Sequence, residues 1–173
     1  MRLTIVNSFL LILFVFIGCD QNDNFECGPP EYPSFSLTDL NPLSVTYNDT
    51  IGPDYFLNKV TLYYFPKTET WGTCQNRFGD LNYLFFEYGG VNSELIIIGV
   101  GKNDNIQIDG IIENRSLPYV KDNEHNNVWD TWCPDDRDLY FLNKNGKYHS
   151  KINLNSGFPE SQVKNLIDQL LLD

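Results

Sequence analysis

The side chain best suited to covalent chemistry is the thiol of Cys74, in the stretch TETWGTCQNRF at residues 68–78. The apolar run KVTLYYF at 59–65 predicts a buried strand before it. After it, apolar residues spaced three and four apart predict an amphipathic helix: Phe78, Leu81, Phe85 and Tyr88. A thiol at the start of a helix faces unpaired backbone N–H groups, which favour the thiolate that attacks disulfides.

Cys74 has no obvious partner for this chemistry. A dithiol exchange site carries its other sulfur three residues upstream, where this chain has Trp71. In such a pair the upstream group attacks and the downstream group resolves the mixed intermediate, so Cys74 holds the resolving place. Three interpretations stay open: a redox site that has lost its attacking group, a redox site in which residue 71 is misread, or no redox site.

The remaining cysteines leave the pairing open. The chain has four cysteines, of which Cys19 belongs to the N-terminal signal sequence. The other three are an odd number, so one thiol is left over unless it pairs between chains. Cys133 is a candidate disulfide partner of Cys74, in a structural or a redox bond, or else a buried, inert thiol. His125 and His149 are isolated and give no metal-ligand spacing, so neither a metal nor another cofactor is predicted.

The N-terminus predicts export. Residues 1–18 hold one arginine and a short apolar run, typical of a signal peptide, and the run stops at Gly18-Cys19. A small residue before that cysteine resembles the bacterial lipobox, which implies cleavage and lipidation at Cys19. The alternative is an ordinary secretory signal. Residues 19–32 predict a flexible tether, 33–173 the folded domain, and lipidation would hold the protein on the periplasmic or outer face of an envelope membrane.

Charge limits the partners. The chain has 12 Lys and Arg against 23 Asp and Glu, a net charge of −11 at pH 7, which argues against nucleic acid and anionic membrane surfaces. Its 173 residues suit one domain besides the N-terminal segments, and 14% aromatic residues suffice for a substantial core. The expected partners are a thiol or disulfide substrate and, through the lipid on Cys19, a membrane.

Further elements surround the strand–helix unit. Residues 94–101 form a continuous β-branched run that predicts a strand covered on both faces, and 102–116 predict an irregular insertion. The alternation of polar and apolar residues predicts a strand at 33–41 and another at 44–49. The other predicted elements are an extended piece at 117–123, a short helix at 128–132, a hairpin of 139–142 and 148–154, and a helix at 159–172.

This order resembles the thioredoxin-like fold in its redoxin branch, which holds the TlpA-like thiol oxidoreductases and the AhpC/TSA peroxiredoxins. PSFSLTDLN with SVTYND resembles the N-terminal extension of that branch, KVTLYYF with Cys74 its active-site unit, and RDLYFLNKNGK its closing hairpin. The resemblance implies an α/β fold with a central mixed sheet flanked by helices and an N-terminal hairpin extension. It also implies thiol–disulfide oxidoreductase activity.

A narrower resemblance concerns residue 71. YYFPKTETWGTC with VWDTWCPDDRDLYFLNKNG is similar to redoxins related to the selenoprotein P N-terminal domain. Many of these carry selenocysteine-Gly-x-Cys at the strand–helix junction, and Trp71 stands in the selenocysteine place. Because UGA encodes selenocysteine in some contexts and Trp in some genetic codes, Trp71 is interpreted as a possible translation of a UGA codon.

Arg137 departs from the thioredoxin pattern. Thioredoxins place a cis-proline before the closing hairpin, and that place falls near Arg137, whereas Pro134 lies too far upstream. Peroxiredoxins place an arginine there, which would stabilise a thiolate and an incoming peroxide. Their proline–threonine–cysteine motif does not match, since Pro66 and Thr70 are out of step with Cys74. The alternative for Arg137 is a surface salt bridge with Asp135, Asp136 or Asp138.

Three functions follow from these patterns. The first is an exported thiol–disulfide oxidoreductase that uses Cys74 with residue 71 or Cys133. The second is a peroxiredoxin-like peroxidase that uses Cys74 and Arg137. The third is a non-catalytic lipoprotein that keeps the fold for binding or envelope structure.

Overall fold

A computed structural model describes residues 27–103 and 107–173. The predicted signal peptide, Cys19 and the first part of the predicted tether lie outside the described residues. Within the described ranges, no helix is long and apolar enough to cross a membrane, and no group of His, Cys, Asp and Glu side chains is placed to hold a metal ion.

A five-stranded mixed sheet forms the centre of the domain. Its strands, in spatial order, are β5 (Tyr119–Lys121), β4 (Leu95–Gly101), β3 (Val60–Phe65), β6 (Asp138–Leu142) and β7 (Tyr148–Asn153). β3 pairs in parallel with β4 and antiparallel with β6, and every residue of these three strands is buried. The β-branched and aromatic composition of these runs suits strands covered on both faces.

The described residues form four α-helices beside this sheet: α1 (Gly72–Glu87), α2 (Asp109–Ile112), α3 (Val128–Trp132) and α4 (Glu160–Leu172). Short 3-10 helices, Pro53–Phe56 and Gly90–Asn92, lie in the connections. α1 ends where Gly89 adopts a left-handed conformation, with φ of 99°. α4 lies beside the end of α1, where the hydroxyl of Tyr88, the residue after α1, donates to Asp168 of α4 at 2.6 Å. The strand–helix–strand unit, the short helix, the closing hairpin and the C-terminal helix are all confirmed, and α2 falls within the predicted insertion.

Alternate residues of β3 contact opposite layers of the fold. The ring of Tyr64 stacks on Phe78 of α1, with centroids 6.1 Å apart. The rings of Tyr63 and Phe65 point to the other face, where both pack against Trp132 of α3 at 5.4 Å. This period of two places α1 and α3 on opposite sides of the sheet.

The N-terminal hairpin is present but shorter and displaced. It consists of β1 (Leu37–Thr38) and β2 (Thr50–Ile51), so the prediction of a strand at 44–49 is wrong. Those residues form turns around the buried carboxylate of Asp39, which accepts the Thr46 hydroxyl at 2.8 Å and the Tyr119 N–H at 3.0 Å. Ser and Thr hydroxyls compete with strand pairing in this way, and an alternating pattern cannot reveal it.

Candidate functional site

Cys74 lies in the first turn of α1, at the carboxyl end of β3, and its side chain is completely buried. Trp71 is the residue before the helix, and its carbonyl accepts the N–H groups of Cys74 at 2.9 Å and Gln75 at 3.1 Å. The Trp71 side chain is 50% exposed. Position 71, with its indole, is therefore open to solvent, whereas position 74 is enclosed by the domain.

The buried side of Cys74 is aromatic. The hydroxyl of Tyr64 donates to the Cys74 carbonyl at 3.3 Å. Burial, and then the charge that Cys74 can carry, raise the pKa of Tyr64 well above its ordinary value, so its hydroxyl stays protonated and donates. This bond helps to hold the first turn of α1 against the sheet.

Arg137 reaches Cys74 from the loop that leads into β6. Its Nη1 lies 3.9 Å from the Cys74 sulfur. Its backbone N–H donates to the Phe65 carbonyl at 2.9 Å, and its own carbonyl accepts the Leu154 N–H at 2.9 Å. Every peptide bond in the described ranges is trans, and Arg137 has a left-handed backbone, with φ of 65°. The arginine therefore stands directly before β6, with a left-handed backbone, and faces Cys74.

The aspartates around Arg137 pair with lysines. Asp136 contacts Lys67 at 2.7 Å, and Lys151 contacts Asp138 at 2.7 Å and Asp135 at 3.6 Å. In the part of the chain that the structure describes, Arg137 makes no ion pair with a carboxylate. The positive charge of Arg137 is thus directed at the thiol and not at an aspartate.

Trp71 belongs to the same side of the domain as the loop that carries Arg137. The Nζ of Lys67 lies 5.1 Å from the centre of the Trp71 ring, and the same ammonium forms the ion pair with Asp136. Lys67 therefore bridges residue 71 and the loop. The structure brings Trp71, Cys74 and Arg137 into one region.

Cys133 is bonded to Cys27 and not to Cys74. The Cys27–Cys133 disulfide joins residues 106 positions apart, and Cys74 is a free, buried cysteine. This corrects the candidate pairing of Cys74 with Cys133 and also the alternative of a buried, inert Cys133 thiol. Sequence alone could not distinguish these pairings, because Cys27 lies in a proline- and glycine-rich segment with no predicted element.

A buried carboxyl group near the site was missed by the sequence analysis. Glu69, in the loop before α1, is 1% exposed, and its Oε1 accepts the Tyr119 hydroxyl at 2.9 Å. Burial and then the Glu69 charge raise the pKa of Tyr119, so its hydroxyl remains a donor. The sequence signal for this contact is the pair of glycines, Gly99 and Gly101, in an apolar strand, because glycine in a strand marks the close approach of another group. A Cβ at Gly101 would overlap Oε1 of Glu69, and one at Gly99 would overlap the Tyr119 ring.

Comparison with solved structures supports the fold. The thioredoxin domain of a thiol-disulfide oxidoreductase from Bacteroides vulgatus matches with a TM-score of 0.64 and 14% identity, over 84% of this chain and 98% of that one. A thioredoxin-family thiol:disulfide interchange protein from Chlorobium tepidum matches at 0.62 and 12%, over 84% and 99%. A secreted disulfide oxidoreductase from Mycobacterium tuberculosis matches at 0.57 and 11%, over 79% and 96%.

Comparisons at the level of sequence give no match. No family model matches the chain, and no curated protein does. The structural likeness nevertheless shows that the protein has the thioredoxin-like fold, with a central mixed sheet flanked by helices and an N-terminal hairpin. This fold is shared with thiol–disulfide oxidoreductases, and the site described above lies at the start of its first long helix.

Proposed function

We propose that the protein is an exported, membrane-anchored thiol–disulfide oxidoreductase whose site is formed by residue 71 and Cys74. One observation carries the proposal: position 71 is solvent-exposed just before α1, whereas Cys74 is buried in the first turn of that helix. An exchange reaction needs this division, because the attacking group must meet the substrate and the resolving group must be shielded until the mixed intermediate forms.

The reaction requires a selenol or thiol at position 71. Its anion attacks one sulfur of a substrate disulfide, forms a mixed bond and releases the first substrate thiol. The Cys74 thiolate then attacks residue 71 in that bond, so the second substrate thiol leaves and the pair 71–74 is oxidised by two electrons. An external thiol donor returns the pair to its reduced form. An indole at position 71 can perform none of these steps.

The likeness to redoxins related to the selenoprotein P N-terminal domain supports a recoded residue at position 71, because the frame Trp71-Gly72-Thr73-Cys74 matches theirs at the strand–helix junction. The test is the mass of the native peptide that contains residue 71, read together with its codon. The proposal expects selenocysteine and UGA. A tryptophan mass in the native protein, encoded by UGG, would overturn the exchange function of this pair.

A peroxidase that uses Cys74 and Arg137 is a second candidate, favoured by the 3.9 Å contact between Nη1 and the sulfur. In this reaction the Cys74 thiolate attacks one peroxide oxygen, and the other oxygen leaves as hydroxide or water. Its test is peroxide consumption, with a sulfenic acid trapped at Cys74. Absence of both in the native protein would remove this candidate.

A non-catalytic lipoprotein is the third candidate, favoured by the complete burial of the free thiol of Cys74. It predicts that Cys74→Ser changes stability and no reaction. Lipidation at Cys19 and anchoring in the envelope are common to all three candidates. Metabolic labelling with a radioactive fatty acid, compared with Cys19→Ala, tests them, and an unlabelled native protein would leave only export.

A further inference from the structure

We infer that the Cys27–Cys133 disulfide is a positioning element that holds Arg137 against the thiol of Cys74. The disulfide lies at one end of the loop 133–137, and Arg137 lies at the other end. The inference depends on the proposed function only for the meaning of the Arg137–Cys74 contact, because the geometry of the loop does not depend on what Cys74 reacts with.

Both ends of the loop have a backbone conformation that needs support. Cys133 has a φ of 46° and Arg137 a φ of 65°, and neither is a glycine. Left-handed conformations are unfavourable for such residues and persist only where the surroundings hold them. At Arg137 the support is visible, since its N–H and carbonyl bond to Phe65 and Leu154 at 2.9 Å.

At the Cys133 end, packing ends with the residue before the loop: Trp132 is buried, and the Cys133 N–H donates to the Trp129 carbonyl at 3.0 Å. Residues 133–136 are exposed or half-buried, and Cys133 contributes to the lining of two clefts of about 640 and 650 Å³. The ion pair of Asp136 with Lys67 has partly exposed side chains, and such pairs contribute little to stability. The bond to Cys27 adds a covalent connection at this end of the loop, beyond the buried Trp132, and ties it to a second segment of the chain.

The other side of the disulfide is itself attached to the domain. Four residues after Cys27, the Glu31 carbonyl accepts the Tyr148 N–H of β7 at 2.9 Å, and its carboxylate contacts Lys147 at 2.7 Å. Cys133 is thus joined to a segment that follows the edge of the sheet. Moving the loop away from Cys74 would require moving this segment as well.

The surroundings of Cys133 favour a permanent bond over an exchanging one. The carbonyl of Asp130 lies 3.1 Å from its sulfur. A thiolate released at that point would face the negative end of the carbonyl dipole, in a chain region rich in aspartate, so it is a poor leaving group. This suits a positioning role better than a second exchange centre.

The test measures the placement of Arg137 directly, by hydrogen exchange of arginine Nε–H groups observed by NMR. The Nε of Arg137 is buried and has no hydrogen-bond partner among residues 27–103 and 107–173, and the Nε of Arg115 is alike in both respects. Arg115 belongs to the region of α2, and its guanidinium bonds to the carbonyls of Gly110 and Ile111, so it is a matched control within the same molecule.

In Cys27→Ser/Cys133→Ser, we expect exchange at Arg137 to accelerate at least about tenfold more than exchange at Arg115, because the loop opens locally in addition to any loss of overall stability. Unchanged exchange at Arg137 would overturn the inference. Cys27→Ser/Cys133→Asn is the companion variant, because asparagine tolerates a left-handed backbone. It should restore part of the protection at Arg137. Equal acceleration at both arginines in both variants would mean that the disulfide supports the whole domain, and would also overturn it.

Discussion

The Nη1 of Arg137 lies 3.9 Å from the sulfur of Cys74, although the two residues are 63 positions apart in the chain. The contact forms because β6, which begins directly after Arg137, pairs with β3, which ends shortly before α1. The register that opposes Phe65 to Asp138 therefore also sets the distance from the guanidinium to the thiol.

This contact predicts the effect of removing the arginine charge. In Arg137→Met, oxidation of Cys74 by hydrogen peroxide should slow roughly three- to fivefold, which corresponds to loss of one charge interaction of about 1 kcal/mol. The measurement is the rate of sulfenic acid trapping at Cys74. Arg77→Met is the control, since Arg77 is directed to the Leu154 carbonyl and to Asp80. A rate that falls equally in both variants would show that Arg137 has no special relation to the thiol.

The exposed outer position predicts a gain of function. Trp71→Cys places a thiol where position 71 is accessible, and oxidation should join it to Cys74, with reduction of insulin disulfides above the rate of the tryptophan protein. The matched control is Phe86→Cys, which introduces a thiol at a half-exposed aromatic position within α1, 55% exposed against 50% for Trp71 just before the helix. Activity that survives in Trp71→Cys/Cys74→Ser would contradict the resolving role of Cys74.

The glycines of β4 predict that an added side chain there would lower the stability of the fold. Gly99→Ala would bring a methyl group into the Tyr119 ring, so we expect a loss of about 1–3 kcal/mol in the free energy of unfolding, the range for overpacking a core. Gly72→Ala is the control, because a Cβ there meets no atom of the described residues within 4 Å. Urea unfolding of the two variants measures the difference. Equal stability of both would mean that the Tyr119 ring is free to move aside.

The disulfide predicts a large effect on overall stability. Cys27→Ser/Cys133→Ser should lower the free energy of unfolding by about 2–5 kcal/mol, because the bond closes a long loop in the unfolded chain. The measurement is urea unfolding with and without a thiol reductant. The wild-type protein should respond to the reductant and the variant should not. A reductant effect that persists in the variant would point to another thiol as its cause.

The sequence predicted the βα unit around Cys74 because its period changes from a continuous apolar run to a spacing of three and four. It also indicated Arg137, through the frame of the closing hairpin. It did not predict the turns at 44–48, where the Thr46 hydroxyl reaches a carboxylate that is itself positioned by Tyr119. The pairing of Cys27 with Cys133 was equally out of reach, because it depends on the path of a segment without a regular element.

The disulfide at Cys27 also limits the length of free chain that can lie between the predicted lipid anchor and the folded domain. If Cys19 carries the lipid that we propose, the disulfide-bonded Cys27 follows it by only eight positions, a distance that spans at most about 28 Å when the chain is fully extended. The tether would then confine the domain to a layer above the bilayer that is roughly one protein diameter deep. Its encounters would be confined to proteins that present their disulfides within that layer, while bulk solution would be largely beyond its reach.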